Sequence, residues 1–101
     1  MIHVIATIRT AAGRQDDFLT AFSELVPDVR AEVGCIEYGP AIDLATAVSS
    51  QPAREDVVTV IEKWESVEAL ASHLKAPHML RYRDRVKDIV AGSEIRVLEP
   101  A

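Results

Sequence analysis

Cysteine is almost absent from this sequence, because Cys35 is the only one among its 101 residues. One thiol cannot form a disulfide within the chain, and it cannot build a cysteine-based zinc or iron–sulfur site. No apolar run approaches the roughly 20 residues of a membrane-spanning helix, and the first residues lack the basic region of a signal peptide. We therefore expect a cytoplasmic protein that does not enter a membrane.

Basic charge and aromatic residues are also scarce. The chain carries 11 Lys and Arg against 16 Asp and Glu, a net charge of −5, and its basic residues are scattered. Nucleic-acid binding needs a basic face and is therefore not expected. Only 5% of the residues are aromatic while 49% are hydrophobic, which predicts an aliphatic interior. A chain of this length forms one domain, which we expect to span residues 1–101.

The order of hydrophobic patterns predicts alternating strands and helices. The patterns indicate strands at about residues 2–9, 35–43, 57–64 and 93–99, and helices at about 14–32 and 66–90. Pro77 breaks the second helical stretch, Gly92 is expected to close it, and residues 45–56 are expected to form a loop. The β-α-β-β-α-β order is typical of the α+β ferredoxin-like fold, an antiparallel sheet with helices on one face.

One face of such a sheet is left without helices. Strand alternation gives this face either Val58, Val60, Glu62 and Trp64 or the residues between them. A broad apolar face does not stay exposed to water, so we expect it to pack on a second copy or to close over a ligand. A homodimer that does both is the simplest expectation.

A recognisable set of residues begins in the third strand. It comprises Val60-Ile61-Glu62-Lys63-Trp64-Glu65-Ser66, Ala69-Leu70, His73-Leu74, Pro77-His78-Met79, Tyr82 and the final run Ile95 to Pro100. With these residues the sequence resembles the antibiotic biosynthesis monooxygenase family, and within it the YgiN-type quinol monooxygenases. The resemblance implies a dimeric α/β barrel of two ferredoxin-like protomers. It also implies an oxidoreductase that oxygenates a small aromatic quinol with dioxygen, without metal, flavin or haem as cofactor.

His73 and His78 are the catalytic candidates. Each borders an apolar helical stripe, and the chain can bring the two imidazoles together around Pro77. A quinol hydroxyl with a pKa of about 10 is protonated at pH 7, and its ionisation costs about 4 kcal/mol. An imidazole that titrates near neutrality lowers this barrier as a general base. The alternative is that either histidine is exposed or only caps a helix.

Five residues are candidates for binding the substrate: Tyr38, Glu62, Trp64, Met79 and Tyr82. An indole can stack on a planar substrate, a carboxylate can orient a hydroxyl group, and phenols can donate hydrogen bonds to a quinone oxygen. Each residue also has a purely structural interpretation. Trp64 is more simply a packing residue, Met79 a core residue, and Glu62 the partner of an arginine.

A metal site is not expected from the spacing of the histidines. His73 and His78 are five residues apart, whereas the helical zincin motif has them four apart, and a proline lies between them. The haem-degrading branch of the family is also disfavoured. Its Asn, Trp and His would fall at Ala6 or Thr7, His73 and Arg83, and none of these residues matches.

Two other functions stay open. The pair of histidines around a proline also resembles the autoinducer-processing members of the family, in which an isomerase moves protons on a phosphorylated substrate. Arginine or lysine in the cavity would favour this isomerase, whereas an apolar cavity would favour a quinol. The third function is that of a non-catalytic, dimeric small-molecule-binding module, whose histidines would face solvent or be buried without a cavity.

Overall fold

Four antiparallel strands and three helices make up the fold. The computed structural model describes residues 1–101 and contains β1 (Ile2–Thr10), α1 (Gln15–Arg30), β2 (Cys35–Ala41), β3 (Val57–Trp64), α2 (Val67–Leu74), α3 (Pro77–Val86) and β4 (Val90–Leu98). The strands are hydrogen-bonded in the order β2-β3-β1-β4, so β1 lies between β3 and β4. The predicted ferredoxin-like α+β fold is confirmed. None of the three helices combines the length and the apolar character needed to cross a membrane.

Helix α1 packs on the sheet through one apolar stripe. Phe18, Phe22, Leu25 and Val29 are all buried, as their helical spacing predicts. Pro27 lies in the last turn, and the helix ends at Arg30, so the missing N–H affects only the end of the helix.

The turn after α1 brings the chain close to helix α2. Gly34 has φ +88°, a left-handed conformation that favours glycine. A Cβ at this position would lie 2.6 Å from the Cβ of Ala69 on α2. The absence of a side chain therefore lets this turn, which includes Glu32, approach α2 closely.

Helices α2 and α3 are separate because of the residues that begin them. The Ser66 hydroxyl accepts a hydrogen bond from the backbone N–H of Ala69 at 3.1 Å and caps α2. Pro77 occupies the first turn of α3, where its missing N–H leaves no hydrogen bond unmade. His73 and His78 consequently lie on different helices.

The last helix is shorter and the last strand longer than predicted. Helix α3 ends at Val86, and Gly92 lies inside β4 opposite Arg9 instead of closing the helix. A Cβ at Gly92 would collide with the Arg9 guanidinium. The prediction that Gly92 ends the helix was wrong, because this glycine lies in a strand and makes room for a neighbouring side chain. A single sequence cannot distinguish a glycine in this role from a glycine that ends a helix.

The helices cover one face of the sheet and leave the other bare. Val58, Val60 and Trp64 of β3 are at most 2% exposed and lie under the helices, so the alternate residues face outward. Among these, Ile61 is 43% exposed. Strand β4 forms an edge of the sheet, and most of its side chains are exposed. The bare face is where a second copy is predicted to pack.

Candidate active site

A cavity of about 480 Å³ lies between the covered face of the sheet and the helices. Eleven of its 17 lining residues are hydrophobic, and its volume is in the range of small-molecule sites. Five of the seven site residues predicted from the sequence line this cavity: Tyr38, Glu62, His73, Met79 and Tyr82. Trp64 and His78 are not among the lining residues.

Trp64 lies behind the cavity wall. Its side chain is fully buried, and its ring centroid is 4.6 Å from that of His73. Its Nε1–H donates a hydrogen bond to Oε1 of Glu62 at 2.8 Å. The indole therefore supports the two groups that face the cavity, and it takes the packing position that was its simpler interpretation.

His73 is held in one orientation by a carboxylate. Its Nδ1 lies 2.8 Å from Oε2 of Glu32, and since a carboxylate only accepts, Nδ1 carries the proton of this hydrogen bond. In the neutral ring Nε2 is then a free acceptor. Every side-chain nitrogen or oxygen that is fully enclosed has a hydrogen-bond partner. Nε2 of His73 has no partner in the protein, so it is not fully enclosed and reaches the open space of the cavity that His73 lines. Burial lowers the pKa of His73, and the hydrogen bond to Glu32 opposes this effect.

His78 approaches the same carboxylate from the other side. Its Nε2 lies 2.7 Å from Oε2 of Glu32, the oxygen that also accepts from His73. His78 lines a small groove on the outer surface, not the cavity. The two imidazoles meet because Pro77 separates their helices, so their spacing in the sequence does not limit their distance.

Glu32 is a candidate site residue that the sequence did not reveal. It lies in the turn after α1, 41 and 46 residues before its partners, and its side chain is 14% exposed. No periodicity or motif distinguishes it from other acidic residues at helix ends. Only the close approach of this turn to α2 brings it to the histidines.

Three further polar atoms belong to residues that line the cavity and have no hydrogen-bond partner in the protein. They are the hydroxyls of Tyr38 and Tyr82 and Oε2 of Glu62. Burial raises the pKa of both tyrosines, so they stay protonated and can donate hydrogen bonds. Burial also raises the pKa of Glu62 to about 7, although the hydrogen bond from Trp64 lowers it. This carboxyl can therefore accept or release a proton near neutral pH.

Two exposed basic side chains lie at the rim of the cavity. Arg83 and Lys87 are exposed residues that line the cavity, and the sequence had assigned neither of them to the site. They follow Met79 at intervals of four residues, which places all three on one helix stripe. This spacing is the signal that could have assigned them to the cavity.

The fold and the cavity together define a class of protein, a small α+β enzyme with a ferredoxin-like sheet. Its cavity is mostly apolar and contains an oriented imidazole, a protonatable carboxyl and two phenolic donors. Such a set suits proton transfer with a small molecule.

Comparisons with known proteins identify the family. The profile described as "Antibiotic biosynthesis monooxygenase" matches residues 1–85. The chain is 42% identical over 102 aligned positions to an Escherichia coli K12 protein named "Probable quinol monooxygenase YgiN", covering 99% of this chain and 98% of that one. The chain belongs to the antibiotic biosynthesis monooxygenase family, and it is an oxidoreductase of the monooxygenase type.

Solved structures share the fold. PA3566 from Pseudomonas aeruginosa aligns with a TM-score of 0.80 and 27% identity over 99% of this chain and 93% of its own. A conserved protein from Methanosarcina mazei aligns with a TM-score of 0.82 and 21% identity over 99% of this chain and 92% of its own, which supports the fold alone.

Proposed function

We propose that this chain is a cofactor-independent monooxygenase that hydroxylates a small aromatic quinol with dioxygen. The observation that carries the proposal is the position of His73, whose ring is buried and oriented by Glu32 while its Nε2 reaches an apolar cavity. Family membership and the 42% identity to the E. coli protein support the same class of substrate.

His73 supplies the base for the first step. Nε2 accepts the proton of one quinol hydroxyl, while Nδ1–H stays hydrogen-bonded to Glu32, so the imidazolium that forms is paired with a carboxylate. The quinolate then gives an electron to dioxygen, and the two radicals combine at a ring carbon. Loss of water leaves the hydroxyquinone, and the proton held by His73 returns to the departing oxygen. The sum is quinol plus dioxygen to hydroxyquinone plus water.

The remaining polar groups hold the substrate during these steps. The phenols of Tyr38 and Tyr82 stay protonated and donate to the quinol oxygens, where negative charge develops. Glu62 faces the same space with a pKa of about 7, and it suits the second hydroxyl of the quinol. Phe22, which stacks on Tyr38 with ring centroids 5.5 Å apart, contributes an apolar wall for the aromatic ring.

The cavity favours this function over the two alternatives. An isomerase of a phosphorylated substrate needs cations in the cavity. Arg83 and Lys87 lie only at its exposed rim, and the interior is mostly apolar and contains no other arginine or lysine. A binding module without catalysis does not need a buried imidazole whose free nitrogen reaches a cavity.

The experiment that tests the function is oxygen uptake with a reduced naphthoquinone and protein freed of metal by a chelator. Wild type should consume dioxygen and form the hydroxyquinone. His73→Ala should lower the turnover number by about 100-fold or more, the usual contribution of a general base. His3→Ala is the matched control, because His3 lies on β1 facing Lys63 of β3 and does not line the cavity.

Binding is measured separately from turnover. Trp64 is the only tryptophan and packs against His73, so its fluorescence reports a quinone in the cavity. Quenching by the quinone in both wild type and His73→Ala would separate loss of the base from loss of binding. An unchanged rate in His73→Ala, or no oxygen uptake by wild type, would contradict the proposal.

A further inference from the structure

The cluster of Glu32, His73 and His78 contains three groups that ligate transition metals. One ligand atom from each lies within 4.8 Å of the other two. We propose that this cluster binds one divalent ion of the Zn²⁺ type, and that the bound ion prevents His73 from acting as a base. The binding of the ion is inferred from the geometry of the cluster, and its effect on His73 rests on the proposed function.

The donor set matches the preference of zinc. Two imidazole nitrogens and one carboxylate oxygen, with a fourth position open to water, form one of the common zinc environments. Tetrahedral bonds of about 2.0–2.1 Å separate neighbouring ligand atoms by roughly 3.3 Å. The contacts of the two histidines to Oε2 of Glu32 are 2.8 Å and 2.7 Å, so each must lengthen by about half an ångström. The two imidazole nitrogens lie up to 4.8 Å apart and must approach each other by up to about 1.5 Å. Glu32 lies in a turn, and His78 is a partly exposed side chain in the first turn of α3, so the adjustment is made by these two residues while the buried His73 stays in place.

An ion can reach the cluster without passing through the cavity. The side chain of His78 is 19% exposed and that of Glu32 is 14% exposed, whereas that of His73 is only 2% exposed. His78 also lines the groove on the outer surface. His73 is thus the only residue that belongs to both the cluster and the cavity.

Occupancy of the cluster changes which nitrogen of His73 carries the proton. In the absence of metal the proton is on Nδ1, in the hydrogen bond to Glu32, and Nε2 is free to accept. A metal bonded to Nδ1 moves this proton to Nε2, which becomes a donor toward the cavity. The proton of His78 moves in the same way from Nε2 to Nδ1. No electron is transferred and no net proton is released, but His73 can no longer take a proton from a quinol.

The test begins with Zn²⁺ binding to chelator-treated protein, measured by titration calorimetry and by the rise in melting temperature. Wild type should bind one ion per chain. Glu32→Gln and His78→Gln should each weaken binding by more than about 100-fold, because even changes to groups outside the ligand shell cost 10- to 100-fold. A glutamine at position 78 can still donate a hydrogen bond to Glu32, so it removes the ligand while keeping the contact that supports the fold.

Two control variants lie outside the cluster. His3→Ala removes a histidine from β1, and Glu68→Gln replaces an exposed acid of α2. Both should bind Zn²⁺ like wild type. Circular dichroism of each variant without metal shows whether it is folded.

The second measurement is oxygen uptake during the Zn²⁺ titration. Uptake by wild type should fall as the site fills and return when a chelator is added. Absence of stoichiometric binding to wild type, or equal binding by either cluster variant, would overturn the metal site. Full occupancy without loss of uptake would overturn its effect on His73. A wild-type protein that binds Zn²⁺ but never consumes dioxygen with quinols would instead contradict the proposed function.

Discussion

The stability of this protein should depend on pH through Glu62. The residue is 4% exposed, and burial raises the pKa of its carboxyl from an ordinary value of 4.5 to about 7. Because the folded-state pKa is higher than the unfolded one, the folded protein holds a proton that the unfolded chain releases between these pH values. The contribution of Glu62 to stability is therefore complete below pH 4.5, falls as the pH rises, and levels off above about pH 7.

The size of this loss follows from the same two pKa values. Their difference corresponds to about 3 kcal/mol, which is an upper figure because a partly hydrated side chain can relax when it ionises. Glu62→Gln removes the ionisation, and the new side chain can still accept the hydrogen bond from Trp64. The variant should match wild type near pH 4.5 and be more stable by about 2–3 kcal/mol at pH 8.

Urea denaturation at fixed protein concentration, repeated from pH 4.5 to pH 8, measures this difference. Comparison of the two proteins at each pH cancels the contributions of all other titrating groups. Glu65→Gln, at an exposed position just after β3, is the matched control and should not change with pH in this way. A difference in unfolding free energy between Glu62→Gln and wild type that stays constant with pH would refute the reasoning.

Three other changes test the surroundings of the site. Trp64→Phe removes the donor to Oε1 of Glu62 and should lower the unfolding free energy by about 1–3 kcal/mol. Urea denaturation followed by circular dichroism measures this change, and an unchanged unfolding free energy would mean that another donor replaces the hydrogen bond. Gly34→Ala should lower the unfolding free energy by at least about 1 kcal/mol more than Gly13→Ala. Both glycines have positive φ, but only at Gly34 would the new Cβ meet a neighbouring helix. Equal losses of unfolding free energy would argue against this close approach. Ile61→Glu places a charge on the bare sheet face and should convert the predicted dimer to monomers, as measured by analytical ultracentrifugation. A wild type that is already monomeric would contradict the prediction of a dimer.

Most of the fold could be predicted because its signals are local. The spacing of Phe18, Phe22, Leu25 and Val29 places them on one helix face wherever that helix packs. Ser66 begins a helix through its side-chain hydroxyl, and Pro77 through its fixed backbone and missing N–H, and neither effect needs a distant residue. Gly92 was misassigned because a glycine is equally suited to ending a helix and to making room within a strand, and only the position of Arg9 distinguishes the two.

The candidate site was partly accessible from the sequence. His73, Glu62 and Tyr82 attract attention because polar or amphipathic side chains border apolar runs, and all three line the cavity. Alternation alone could not decide which face of β3 the helices cover. It also could not show that Trp64 supports the wall from behind or that His78 faces the outer groove.

The sequence by itself determined the family, the order of strands and helices, and the presence of two imidazoles near an apolar stripe, because each depends on neighbouring residues. The tertiary structure alone decided where those imidazoles lie and which groups they contact. The turn at Gly34 carries Glu32 to α2, and one of its oxygens accepts from both His73 and His78. That contact leaves one nitrogen of His73 free toward the cavity. A single sequence cannot reveal it, since it joins residues more than 40 positions apart through the packing of a turn against a helix.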